Sequence, residues 1–211
     1  MRILWALMIN LACLIGVQIH AEAMPEFENF ETYHAHFTQE TIEIKSGKQL
    51  FHTTGRVWLS GPIHFRWEVG TPTQQTVLRP NLKDLWVIEP PLEQAMVYHT
   101  AQHIAAQLPA LLLSGDKRVL SHYFKFIRLS EQDRYVRYRL VPKQAIEVLK
   151  TVIIKMQDGH LLALNLEDLF GHLIRIKLKD AEVHMPIDSK IFALEIPSHY
   201  DTIQSHEGAG I

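Results

Sequence analysis

Turn-forming residues recur at short intervals along most of the chain, and this spacing limits what the chain can fold into. Helices of ordinary length rarely fit between such turns, whereas strands of about five or six residues do. The spacing therefore favours a fold built mainly from β-strands. The main turn signals are Ser46-Gly47, Ser60-Gly61-Pro62, Gly70-Thr71-Pro72, Pro90-Pro91, Ser114-Gly115-Asp116, Asp158-Gly159 and Met185-Pro186.

Between the turns, polar and apolar side chains alternate as they do in strands with one buried face. In residues 64–69 the odd-numbered positions are apolar and the even-numbered positions are charged or histidine. Residues 136–140 and 174–179 have the same alternation. Asp158-Gly159 is the kind of two-residue turn that joins neighbouring antiparallel strands. We predict a single antiparallel sheet or barrel of roughly ten strands.

Two segments have a helical rather than a strand-like pattern. One covers residues 26–35, and the other covers residues 100–113. The second contains Pro109, which lacks a backbone N–H and should divide the helix into two short pieces. The tail from Gln204 to Ile211 contains two glycines, and we predict that it frays.

The first 23 residues have the layout of a secretory signal peptide. Met1-Arg2 is followed by an apolar run from Ile3 to Ile19 and by Ala21-Glu22-Ala23, which fits a cleavage site. A membrane anchor is the alternative, but the run is short for a span and no basic cluster follows it. Cys13 lies in the middle of the run, a context that disfavours lipidation. We predict cleavage after Ala23, which leaves residues 24–211 as one domain.

Charge and cysteine content exclude several classes of function. The chain has 21 Lys and Arg against 23 Asp and Glu, a formal charge of −2, so no net field attracts nucleic acid. Its single cysteine lies in the predicted signal peptide, which excludes a thiol enzyme and an internal disulfide in the mature chain. The pairs His34/His36 and His99/His103 have ligand-like spacing but no accompanying carboxylate cluster. We therefore expect no metal and no cofactor.

Catalytic motifs are likewise missing from the sequence. It contains no Gly-x-Ser-x-Gly elbow and no glycine-rich phosphate loop. Glu89 with Glu93, or Glu167 with Asp168, could be sought as a glycosidase-like pair, but sequence alone cannot show two carboxylates facing one bond. We expect a protein that is not an enzyme, with a secreted β-sheet hydrolase as the alternative from a different class.

Large apolar side chains are concentrated in the alternating strands and in the second predicted helix. Trp58, Phe65, Trp67 and Trp86 lie close together in the sequence, and Leu111-Leu112-Leu113 ends the helix. A packed core explains such residues. A curved sheet with helices across its open side could instead leave a cavity lined by them. Composition alone does not distinguish a packed core from a cavity lined by these residues.

Short motifs follow one another in a recognisable order over residues 30–203. They are Phe37-Thr38-Gln39, Gly55-Arg56-Val57-Trp58-Leu59, Pro62-Ile63-His64-Phe65-Arg66-Trp67-Glu68, Pro72 with Gln75, Leu85-Trp86-Val87, Glu93-Gln94, Leu108-Pro109, Asp168-Leu169-Phe170-Gly171, and Phe192 to Pro197 with Asp201-Thr202-Ile203. Together with the signal peptide, this order resembles the periplasmic outer-membrane lipoprotein carrier family, localisation-of-lipoproteins factor A.

The resemblance implies an incomplete antiparallel β-barrel, a curved sheet of about ten or eleven strands, with a lid of short α-helices over its concave apolar face. It also implies a soluble, monomeric chaperone of the periplasm. Such a carrier accepts lipoproteins released from the inner membrane by an ABC transporter, shields their acyl chains in an apolar cavity and hands them to an outer-membrane receptor.

The resemblance also suggests which residues contact lipid. By position, Phe65 and Trp67 match the aromatic pair that lines the family's cavity, and Leu111 and Leu112 match lid residues that face it. We add the other two tryptophans of this region as candidates for lipid contact, Trp58 and Trp86.

One position departs from the family pattern. The family commonly has an arginine just before the proline matched by Pro62, where it bonds to the lid; this chain has Gly61. Alternation puts Arg66 on the strand face opposite to Phe65 and Trp67. Arg66 is therefore not placed to replace the family's arginine at the lid. We predict a lid held mainly by apolar contacts. The departure leaves open a related carrier of another lipid or a glycolipid.

Overall fold

A computed structural model describes residues 24–28, 30–61, 63–70, 75–79, 84–99, 104–132, 134–146 and 148–204. The predicted signal peptide, residues 100–103 of the second predicted helix and nearly all of the predicted frayed tail lie outside the described residues. No helix in the described ranges is long and apolar enough to cross a membrane.

The described chain consists mainly of strands. Two α-helices lie between the sixth and seventh strands, α1 (Ile104–Ser114) and α2 (Lys117–Tyr123), and single turns of 3-10 helix occur at Pro90–Leu92 and Ser189–Phe192. The strands are β1 (Thr32–Glu43), β2 (Gln49–Ser60), β3 (His64–Val69), β4 (Thr76–Arg79), β5 (Asp84–Glu89), β6 (Gln94–His99), β7 (Phe124–Gln132), β8 (Tyr135–Pro142), β9 (Leu149–Gln157), β10 (His160–Asp168), β11 (His172–Val183) and β12 (Asp201–Gln204).

All of these strands belong to one sheet, in the order β12-β6-β5-β4-β3-β2-β1-β11-β10-β9-β8-β7. Neighbours are antiparallel except for β12, which runs parallel to β6. In the described part of the chain, β12 and β7 are the two edges and do not pair with each other, so the curved sheet stays open. The predicted mainly β fold is confirmed. Over the described residues the sheet has twelve strands, where ten or eleven were expected.

The predicted alternation is confirmed where the sequence was clearest. Phe65, Trp67 and Val69 of β3 are buried, and the residues between them are half-buried. Asp158 and Gly159 form the two-residue turn between β9 and β10, with φ values of 48° and 84°. Positive φ at both positions is what a type I′ hairpin turn requires, and glycine adopts it without strain.

The predicted N-terminal helix is wrong. Among residues 26–35, the described positions before Thr32 are irregular, and β1 begins at Thr32. Tyr33 and Ala35 are buried while His34 between them is half-buried, so the period of two prevails over the helical pattern. The N–H of Glu28 donates to the carbonyl of Gly159 at 3.2 Å, which holds the irregular segment against the β9–β10 turn.

The second helical region is confirmed, but its division does not fall at the proline. Helix α1 continues through Pro109, and the chain breaks instead at Gly115, where φ is 62°. Asp116 then caps α2 by accepting the N–H groups of Arg118 and Val119 at 3.0 and 3.2 Å. A proline inside a helix costs about 3 kcal/mol. Burial of the leucines on both sides of it is large enough to offset this cost.

A single carboxylate holds the turn between β10 and β11. Oδ1 of Asp168 accepts the backbone N–H groups of Phe170 and His172 at 2.9 and 2.8 Å, and Oδ2 lies 2.9 Å from Nδ1 of His172. Burial acts to raise the pKa of Asp168, but the hydrogen bonds from His172 and Phe170 outweigh it and hold the pKa below its ordinary value. Glu167, the other member of this candidate catalytic pair, is bonded to Lys150 at 2.6 Å.

We expect Asp168→Asn to lower the free energy of unfolding by about 1–2 kcal/mol near neutral pH, because the charge-assisted bonds weaken. The pKa is lower in the folded state. The contribution is therefore complete above the unfolded pKa of about 4 and is lost as the pH falls through the folded pKa. Urea unfolding at neutral and at acidic pH should show the two proteins converging in acid. A difference that does not change with pH would contradict this.

Candidate functional site

The concave face of the sheet is apolar across neighbouring strands. Phe65 on β3 lies opposite Leu59 on β2, and Leu59 lies opposite Tyr33 on β1. Residues paired in this way point to the same face. The buried residues that β1, β2 and β3 direct to the concave face are Tyr33, Ala35, Phe37, Val57, Leu59, Phe65, Trp67 and Val69.

Three aromatic rings form the centre of this face. Phe37 and Trp67 are stacked with ring centroids 3.9 Å apart, and Phe65 and Trp67 are stacked at 6.3 Å. Gly55 lies opposite Phe37 on β2. A Cβ atom at Gly55 would clash with the Phe37 ring and with the backbone carbonyl oxygen of Glu68. Glycine at this position is therefore what lets the Phe37 ring lie flat against β2.

Helix α1 packs against the concave face. Within it, Leu111 and Leu112 are buried in one cluster with Phe65 and Trp67, so the structure brings four of the predicted site residues together. Leu108, Ala110 and Leu113 of α1 are buried in the same cluster. A helix that is buried on several sides occupies the interior of a protein. The lid is α1 with α2, and the leucines of α1 belong to the same buried apolar cluster as the aromatic rings of the sheet.

The other two predicted site residues, Trp58 and Trp86, do not line the concave face. Trp58 is paired with Arg66, Arg66 with Leu78, and Leu78 with Trp86, so all four positions share the opposite, outer face. Trp58 is stacked on the His34 ring at 5.1 Å. Lipid contact by these two tryptophans stays a prediction, now for the outer face. Sequence alone did not tell the two faces apart, because the apolar run around Trp58 is buried on both of them.

The outer face is covered by the C-terminal strap, residues 185–204, which includes the Ser189–Phe192 turn and β12. Arg66 donates through Nη1 to the carbonyl of Ile191 at 2.8 Å and through Nε to Oε1 of Glu68 at 2.6 Å. The predicted orientation of Arg66, away from Phe65 and Trp67, is confirmed. Arg66 holds the strap rather than the lid.

Gly61 lies beside the junction of the two lid helices. Its N–H donates to the carbonyl of Glu31 at 2.7 Å, and its φ is 55°. Together with Ser114, Gly115 and Asp116 it lines a cavity of about 470 Å³. A side chain at this position would enter open space. The position at which the resembled family has an arginine is thus next to the lid but carries no group that could bond to it.

The described part of the chain places neither histidine pair in a metal-binding cluster. The rings of His34 and His36 lie near carboxylates of β11, with Nδ1 to oxygen distances of 3.4 and 4.0 Å. His99 ends β6 instead of sharing a helix face with His103, which is outside the described residues. Over the described ranges, no three His, Cys, Asp or Glu side chains lie close enough together to hold a metal ion.

Sequence reasoning missed the contribution of β1 to this site. Tyr33, Ala35 and Phe37 extend the concave face beyond β2. The signal was present, because these residues alternate with His34 and His36. It was hidden by the helix predicted over residues 26–35.

A family model described as outer membrane lipoprotein carrier protein LolA matches residues 28–195. The chain belongs to this family. An outer-membrane lipoprotein carrier protein from Hahella chejuensis is 30% identical over 178 residues, 84% of this chain and 84% of the relative. One from Pseudomonas paraeruginosa is 31% identical over 174 residues, 82% of each chain. The solved structure of a LolA superfamily protein from Nitrosomonas europaea is 14% identical and covers 80% of this chain and 93% of that one, with a TM-score of 0.46.

In this LolA-family chain we expect Arg66→Ala to increase amide hydrogen exchange several-fold in the strap and to leave exchange in α1 unchanged, because Arg66 bonds to the strap carbonyl. Mass spectrometry of peptides from both segments measures this. Arg56→Ala is the matched control, since Arg56 lies on the same outer face and its described bond is to Glu68 at 2.9 Å. Faster exchange in α1 of the Arg66 variant would show that the lid depends on this arginine.

Proposed function

We propose that this chain carries lipoproteins by taking their acyl chains into the space that α1 occupies against the concave face. The observation that carries the proposal is the single apolar cluster that joins Phe65 and Trp67 of the sheet to Leu111 and Leu112 of the lid. An acyl chain has the same chemistry as the leucine side chains that it would replace. The names of the related proteins, outer-membrane lipoprotein carriers, support lipoprotein as the cargo.

Hydrophobic burial is the only driving force that this mechanism needs. Each buried methylene contributes about 0.8 kcal/mol, so exposing one fatty chain to water costs on the order of 10 kcal/mol. Lid and cargo compete for the same apolar surface. The affinity for cargo is therefore the difference between two burials, and that difference can be small enough to permit release. No catalytic group or cofactor is required, and the protein acts by binding alone.

In this proposal, residues 1–23 direct secretion and are removed, and residues 24–211 act in the periplasm as one carrier domain and as a monomer. Lipoproteins arrive from an ABC transporter of the inner membrane and leave to a receptor at the outer membrane.

Exposed apolar residues at one end of the sheet support contact with such a protein partner. Phe51 follows the β1–β2 turn, and Leu169 and Phe170 form the β10–β11 turn; their exposed fractions are 64%, 64% and 65%. The two turns are adjacent, because the N–H of Ile44 donates to the carbonyl of Gly171 at 2.8 Å. Exposed apolar patches of this kind mark sites of interaction.

The decisive experiment incubates residues 24–211 with spheroplasts that make labelled lipoproteins and measures label in the soluble fraction. We expect the wild type to release lipoprotein and Phe65→Glu to release about a tenth as much or less, because a carboxylate on the concave face opposes burial of an acyl chain. Trp58→Glu is the matched control. It places the same charge on the outer face, beside Arg56 and Arg66, and should release lipoprotein as the wild type does.

Both variants are first tested for cooperative urea unfolding, with Phe65→Ser as the substitute if Phe65→Glu does not fold. Retention of lipoprotein by a folded Phe65→Glu variant would contradict the proposed cavity. Failure of the wild type to release lipoprotein, with binding of purified lipid retained, would indicate a carrier of another lipid or a glycolipid.

Replacing both Leu169 and Phe170 by serine should separate cargo binding from hand-off. We expect the double variant to hold lipoprotein like the wild type but to transfer it to outer membranes several-fold more slowly, because the altered side chains lie outside the buried cluster. Met185→Ser, which alters an exposed apolar residue elsewhere, is the control. Transfer at the wild-type rate by the double variant would exclude this end of the sheet as the docking surface.

A further inference from the structure

The pairing of β10 with β11 covers only part of the two strands. β10 and β11 are hydrogen-bonded only where residues 163–167 face residues 173–177. Towards the other end of these strands, the β9–β10 register shifts at Leu161 and Ala163, and Asp180 on β11 has a φ of 52°. A cleft of about 320 Å³ lies where β10 and β11 are not paired.

The lining of this cleft changes from polar to apolar. At its outer side lie Asp158, Lys179 and Asp180, which are exposed. At its inner side lie Leu161 and Tyr33, which are buried in the same cluster as the concave face. The lining of the cleft therefore includes both exposed charged residues and residues of the buried apolar cluster.

Tyr33 is the unusual residue of this lining. It is 2% exposed, and its hydroxyl is buried and has no hydrogen-bond partner among the described residues. Burial raises the pKa of Tyr33 to about 12, so the hydroxyl stays protonated and can donate near neutral pH. A buried hydroxyl without a partner destabilises the folded protein, whereas phenylalanine would fill nearly the same space without that penalty.

We propose that the Tyr33 hydroxyl donates a hydrogen bond to the carbonyl of a bound acyl chain whose polar end lies in the β10–β11 cleft. This inference rests on the proposed function and names the part of the cargo that this residue recognises. An acyl carbonyl lies where the hydrocarbon chain meets its polar linker. The cleft has the same order, with apolar Leu161 and Tyr33 inside and charged Lys179 and Asp180 outside.

The carbonyl can belong to an ester or to an amide, and three probes distinguish these sources. They are a lipopeptide with two ester-linked acyl chains, its dialkyl ether analogue with chains of equal length, and a lipopeptide with one amide-linked acyl chain. The affinity of each probe is measured by displacement of a fluorescent apolar dye from residues 24–211. The variants are Tyr33→Phe and, as a matched control, Tyr135→Phe, which removes the hydroxyl of an exposed tyrosine on β8.

We expect the wild type and Tyr135→Phe to bind the ester probe about five-fold more tightly than the ether analogue. In Tyr33→Phe this ratio should fall to about one, with the affinity for the ether unchanged. A preference for the amide probe that Tyr33→Phe abolishes would assign the bond to an amide carbonyl instead.

Other results would overturn the inference in distinguishable ways. If Tyr33→Phe keeps the carbonyl preference, or weakens ester and ether binding equally, the hydroxyl does not recognise a carbonyl, although the carrier function stands. If the wild type binds none of the probes, the proposed function fails and this inference fails with it. The urea concentration at the midpoint of unfolding should also be at least as high for Tyr33→Phe as for the wild type. A clear loss of stability would mean that the hydroxyl has a partner in the unliganded protein.

Discussion

Burial of the leucines of α1 in one apolar cluster with the aromatic rings of the concave face is the interaction on which the rest of the structure depends. A sheet that curves around an apolar face must cover that face, and here the cover is a helix from the same chain. Apolar burial requires no specific geometry beyond shape, and in the proposed function an acyl chain of similar chemistry replaces the helix. On that proposal, the same packing holds the lid against the sheet and sets the free-energy cost of displacing it.

The two faces of the sheet are covered by different parts of the chain and in different ways. The lid meets the inner face through apolar contacts, whereas the C-terminal strap meets the outer face through the Arg66 guanidinium and the pairing of β12 with β6. Movement of the lid therefore need not disturb the outer bonds. Gly55 belongs to the same arrangement, because its missing side chain lets Phe37 and Trp67 stack on the inner face.

The local pattern of polar and apolar residues was sufficient to predict most of the fold and part of the site. Strict alternation in β3 predicted both the strand and the inward direction of Phe65 and Trp67. It was not sufficient for Trp58 and Trp86, because the face that they occupy depends on strand register and on a distant segment that covers it. β1 was misjudged for another reason. Phe27, Phe30 and Tyr33 are spaced by three, which resembles a helical stripe until pairing with β2 fixes an extended backbone.

A distance measurement across the lid is the most direct test of whether acyl chains displace α1 from the concave face. Cysteine substitutions at Ser114 in α1 and Lys177 in β11 allow specific spin labelling, because the only cysteine of the sequence is Cys13, outside residues 24–211. Double electron–electron resonance on that protein, with and without a diacylated lipopeptide, reports whether the lid moves. We expect one distance in the protein without lipopeptide, and a second, longer distance whose population rises as lipopeptide is added. An unchanged distance at saturating lipopeptide would contradict this expectation, because the acyl chains would then be bound somewhere other than the space filled by α1.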